Sequence, residues 1–141
     1  MSDPVADLYP RLVYPAVLDD EEVVLRPGQL CPALDRALAR RGLTHAAYLT
    51  AYGPHGEPAS ADRDAPRQEA LRAALRGRFE WREAPGGWLD GEPDPKGERE
   101  PSLLVLGIDP DEAAALGRRF QQRAIVTHRR GEVSALSNLA T

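Results

Sequence analysis

Arg118 and Gln122 stand four residues apart, so a helix carrying both presents them on one face. Arg67 directly follows Pro66. The pattern places it in the first turn of another helix, where free N–H groups and the helix dipole favour an anion. Glu100 comes just before the apolar run Leu103–Ile108, close to one end of what should be a strand. Together these side chains suit a carboxylate or a phosphate held by guanidinium forks. Glu100 would orient the ligand or act as general base, and Thr50 would offer a hydroxyl. The competing reading is an Arg–Glu–Arg cluster that ties helices to a sheet.

Other chemistries find weaker support. Ser60 and Ser102 lack a Gly-x-Ser-x-Gly elbow, and a serine nucleophile needs both a base and an oxyanion hole. Ser60 reads instead as a turn or cap residue. His45, His55 and His128 have no metal-ligand spacing and read as surface or turn histidines. Cys31 precedes Pro32 near a helix start that would lower its pKa, but no partner base is in view. From Ala113 to Arg130 there are five arginines and no acid. That zone makes nucleic acid a conceivable but weaker partner, because no stacking motif accompanies it. The glycines of 86–97 follow neither the P-loop nor the dinucleotide order, and no cofactor is expected.

The elements that must position these groups follow from periodicity and punctuation. A frayed acidic start leads to a short strand or arm around Leu12–Val17, then to Val23–Leu25. Pro32–Arg41 reads as a helix that begins on proline and stops at Gly42. Ala46–Tyr52 alternates with apolar residues on both sides, as a strand covered on two faces would. A second helix is expected to be capped by Asp64, which puts Pro66 in its first turn, and to end at Gly77. Phe79 and Trp81 alternate with charges as a half-exposed strand, and Leu103–Ile108 is the interior strand. Asp109, Pro110 and Glu112 mark the start of a third helix. Ala124–Thr127 and Val133–Leu136 then form strands around a turn at Arg129–Glu132. Residues 85–99, seven of fifteen being Gly or Pro, read as a long loop.

The chain has 141 residues, 42% hydrophobic and 28% charged, with a formal charge of −4. That mix suits a single α+β domain and excludes collagen, coiled coil and wholesale disorder. The expected architecture is two layers: a mixed β-sheet of about five or six strands with three helices packed on it, spanning 23–141 behind an acidic arm at 1–22. No apolar run is long enough to cross a bilayer, the N-terminus does not look like a signal peptide, and a lone cysteine cannot form an internal disulfide. A cytoplasmic protein is expected.

Residues 46–52 with Pro54, the pair Arg67-Gln68, the segment Glu100–Ile108, and Leu116–Phe120 followed by Gln122 and Ala124–Val126 form a series in a distinctive order. The chain resembles the small bacterial family known as domain of unknown function 3293, from roughly Leu25 to Leu136. Arg67, Glu100, Arg118 and Gln122 match the family pattern. At Gly53, Arg63-Asp64 and Gln121–Arg123 the chain departs from amides usual in the family. The resemblance implies a shared fold and brings no activity with it. Function is expected to be binding of a small anionic ligand or carboxylate. The alternatives are an enzyme acting on a nucleotide or phosphorylated metabolite with Glu100 as base, and a protein-interaction module using the acidic arm and the 85–99 loop.

Overall fold

The computed structural model describes residues 11–89 and 100–139. Its strands are β1 (Leu12–Leu18), β2 (Glu21–Leu25), β3 (His45–Leu49), β4 (Glu80–Glu83), β5 (Trp88–Leu89), β6 (Leu103–Leu106), β7 (Ala124–Arg129) and β8 (Ala135–Asn138). The helices are α1 (Pro32–Arg40), α2 (Ala61–Leu75) and α3 (Pro110–Arg119). A five-stranded sheet runs β4-β6-β3-β7-β8, and a second, three-stranded ribbon runs β2-β1-β5. This is the α+β fold with three helices that the periodicity predicts.

Two particulars depart from the expected layout. Every pairing in both sheets is antiparallel, not mixed. The main sheet is also covered on both faces, which makes three layers where two are expected. The cause lies in the strands themselves. Ala46 and Tyr48 of β3 share one core with Leu104 and Leu106 of β6 and Val126 of β7. That core is closed by Leu34 and Leu38 of α1 and by Leu18, Val23 and Leu25 of the ribbon. The alternate residues Ala47, Leu49, Leu103, Val105 and Ile125 face a second core, with Leu71 and Leu75 of α2 and Leu116 and Phe120 of α3. Strands apolar at every position must be buried on both sides.

The β1–β2 hairpin packs through Val13, Ala16 and Leu18, each no more than 6% exposed. Its turn is tied to the rest of the chain by Asp19, whose carboxylate accepts from Arg40 and Arg41. The start of α3 is as expected: Asp109 Oδ1 accepts from the Glu112 N–H at 2.8 Å. Gly117 lets that helix lie close to the sheet. A Cβ there would stand 2.4 Å from Leu139 Cδ1 and 3.0 Å from Ile125 Cγ2.

Helix α2 begins three residues earlier than Asp64, with Ser60 at the N-cap position making no side-chain cap bond. The expected Asp64 cap is replaced by a reach-back: Asp64 Oδ2 accepts from the N–H of Ser60 and from that of Gly53, both at 3.0 Å. Pro66 therefore lies inside the helix. There, past the first turn, it forgoes the i→i−4 bond that an N–H at this position would give to the Asp62 carbonyl. Among the described residues no helix is long and apolar enough to cross a membrane.

Candidate functional site

Because β3 is antiparallel to both β6 and β7, the C-terminal end of β3 meets the N-terminal ends of the other two. The loops that gather there enclose a cavity of about 230 Å³. Thr50, Tyr52 and Gly53 supply one wall; Glu100 and Ser102, another; and Gln122 and Ala124, a third. Tyr14 of β1 and the Gly86-Gly87 pair roof it from the ribbon. The glycines are required by closeness, since a Cβ on Gly87 would sit 1.8 Å from the Val13 carbonyl oxygen and one on Gly86 2.6 Å from the Tyr48 hydroxyl.

Glu100 has an unusual charge state in this cavity. Burial pushes its carboxyl up to about 7, and the negative charge of Asp64 behind it adds to the rise. No ion pair or side-chain hydrogen bond engages it among the described residues. Asp64 itself is fully buried, and the Arg63 guanidinium holds its carboxyl well below the usual carboxylate range. The other polar groups are partly committed. Thr50 Oγ1 donates to the Pro101 carbonyl at 2.7 Å and accepts from the Tyr52 N–H at 3.0 Å. Gln122 Nε2 donates to the carbonyls of Tyr52, at 3.0 Å, and Phe120, at 3.2 Å. Glu57, at the mouth, accepts from Arg63 Nη1 at 3.1 Å.

Of the five side chains expected to form a site, Glu100, Gln122 and Thr50 line this cavity, whereas Arg67 and Arg118 do not. Arg67 spends its guanidinium on two carbonyls, Ala51 O at 3.1 Å and Phe120 O at 2.5 Å. It thereby joins α2 to the ends of β3 and α3. Arg118 is exposed on α3. Neither guanidinium group lines this cavity, so the cavity is not the Arg67–Arg118 clamp expected from the sequence. What sequence reasoning passed over is Gln68, only 1% exposed. Its Oε1 accepts from the Ala51 N–H at 2.7 Å and its Nε2 donates to Pro101 O at 3.3 Å. The one available signal was its place beside Arg67 in a shared motif.

A second constellation has catalytic composition without catalytic access. Asp35 Oδ1 lies 2.6 Å from His128 Nε2, and His128 Nδ1 lies 2.9 Å from Ser134 Oγ. Ser134 is fully buried and His128 is 2% exposed, so no substrate carbonyl reaches the hydroxyl. The chain instead locks α1 to β7 and to the loop before β8. His128 is thus a core residue and not the surface or turn histidine expected. His45 is half-buried and His55 is exposed, and no metal-binding cluster occurs among the described residues. Cys31 is buried as well, and burial raises its pKa, against the lowering expected at a helix start.

The five arginines between 113 and 130 do not form one face. Arg118 and Arg119 close α3, while Arg129 and Arg130 lie at the far end of β7. The acidic start up to residue 10 and most of the 85–99 loop, residues 90–99, lie outside the described residues. Comparison with curated proteins and with solved structures gave no match. A family model matches residues 49–125, a narrower span than Leu25 to Leu136, and it includes α2, β6, α3 and all of the cavity lining except Leu12, Tyr14, Tyr48, Val126 and Leu136. The chain belongs to the family described as Protein of unknown function (DUF3293).

Proposed function

We propose that this domain binds a small polar molecule in the cavity at the end of β3, with Glu100 as its principal contact. One observation carries the reading: an ionisable carboxyl sits in the cavity wall with no protein partner among the described residues. A buried acceptor without a partner costs free energy, and a ligand donor offsets that cost. The volume falls below the roughly 300–1,000 Å³ of drug-sized pockets, so the ligand is small. The expected anion is not favoured, because no Arg or Lys among the described residues lines the walls. A cytoplasmic location belongs to the same reading, supported by a single cysteine that is buried and free.

A fragment screen observed on the protein's amide NMR spectrum tests this. Hits should shift the amides of Thr50, Gly53 and Gln122. Ala124→Leu fills the cavity without removing a polar group, and it should abolish those shifts while preserving the fold. Hits indifferent to Ala124→Leu, or an absence of hits, would sink the proposal.

A second reading makes Glu100 a general acid or base, since a carboxyl near 7 both gives and takes protons at neutral pH. A phosphorylated substrate is disfavoured by the lack of cationic wall residues among those described, so the substrate would be uncharged or cationic. Turnover lost in Glu100→Gln with binding retained distinguishes catalysis from binding alone.

A further inference from the structure

We infer that the cavity takes a small organic cation, an amine or guanidine of a few carbon atoms, which sets its charge against Glu100 and its body against tyrosine rings. This deepens the binding reading above and rests on it. Charge is the first reason. Among the described residues the walls carry Glu100 and Glu57 and no cationic side chain. Two arginines of α2 are occupied elsewhere: Arg67 on two backbone carbonyls and, at 3.8 Å, on Asp64, and Arg63 on Asp64, Glu57 and the Pro58 carbonyl. Among the described residues, an anion would therefore enter beside Glu100 with no cation in the walls to pair with it.

Hydrogen-bond polarity agrees. In the walls, the Glu100 carboxylate and the side-chain oxygen of Gln122, whose N–H₂ is spent on Tyr52 and Phe120, are acceptors without a donor among the described residues. A guest rich in N–H donors satisfies both. Tyr14, Tyr48 and Tyr52 contribute rings to the same walls, the first two edge-to-face at 5.3 Å between centroids. Aromatic faces favour a cation over an isosteric neutral group.

A cation also sets a proton balance. The ionisable groups that face Glu100 are Glu57 and Tyr52 from the loop after β3, Tyr14 from β1, Tyr48 from β3 and Asp64 from α2. None of the described groups in the walls supplies positive charge, and Asp64 is itself paired with Arg63, at 2.7 Å, and Arg67, at 3.8 Å. Glu100 must lose its proton as the guest arrives, so binding weakens as pH falls through about 7.

Calorimetric and NMR titrations with putrescine, agmatine and ethanolamine test the assignment. The neutral matches are 1,4-butanediol and ethylene glycol, and the anionic ones succinate and acetate. The amines should bind at least tenfold more tightly than the diols at pH 8 and lose about tenfold in affinity at pH 6, the change in the ionised fraction of a carboxyl near 7. Glu100→Gln should erase the preference for amines while neutral fragments still bind. If that variant fails to fold, wild-type selectivity and its pH slope decide the matter. Diols that bind as well as amines, or carboxylates that bind better, overturn the cation assignment and leave the ligand site standing. If no compound of any charge occupies the cavity, the site itself falls too.

Discussion

Glu100 shows how one side chain can report on its whole surroundings. Its carboxyl is raised from 4.5 to about 7, so the folded chain holds a proton there that the unfolded chain has released. Between about 4.5 and 7 the native state binds more protons than the denatured one. Stability from this group is therefore complete at low pH and is lost as pH rises through about 7. Glu100→Gln has no charge to bury. In urea unfolding it should be more stable than wild type at pH 8, by about 2 kcal/mol once residual solvation is discounted, and should match it near pH 4. A variant less stable at both pH values would show that the carboxylate is held by contacts that favour its charge. The sequence placed Glu100 beside an interior strand but said nothing of its ionisation, because burial is created by Tyr14, Gly86 and Gly87, residues distant along the chain.

Helix α2 acts as a clasp as well as a core element. Its first half carries Asp64, Arg67 and Gln68, which bond to the backbone of Gly53, Ser60, Ala51, Phe120 and Pro101. Its second half buries Leu71 and Leu75. The Arg67-Gln68 motif was legible as something other than surface, yet its purpose was not. A guanidinium on a ligand and a guanidinium on two carbonyls have the same sequence. The two are separated by substitution. Arg67→Ala should cost about 1–3 kcal/mol, because it leaves two carbonyls short of a donor, whereas Arg118→Ala should stay within about 0.5 kcal/mol at an exposed position. Thermal or urea unfolding of both variants checks this, and equal effects would contradict it. The placement of α2 itself was only partly legible. Asp64 reads as the cap because that would put Pro66 in the first turn, while the helix starts at Ala61, with Asp64 folded back on the Ser60 N–H.

At the scale of the molecule, the main sheet was legible and its second cover was not. The apolar runs at 46–49 and 103–106 demand burial on both faces, which the helix stripes alone could not provide. The missing layer is the ribbon, whose first strand runs through Pro15 and whose third strand occupies a stretch that reads as loop. The joint between the ribbon and the rest is tight. Gly87→Ala would drive a methyl group into the Val13 carbonyl, and no rotamer relieves a clash at Cβ. We expect a loss above about 2 kcal/mol, with faster hydrogen exchange in β1 than in β6. Unchanged exchange in β1 would mean that the contact is slack.

That joint also divides the cavity by origin. Glu100, Thr50 and Gln122 lie within residues 49–125, the span common to the family model, whereas Leu12 and Tyr14 come from outside it. A chain built this way can exchange its roof without disturbing the acid beneath. Homologues with different residues at the positions of Leu12 and Tyr14 would then sort guests by shape above an unaltered proton acceptor, and transplanting those two positions between relatives should carry selectivity along with them.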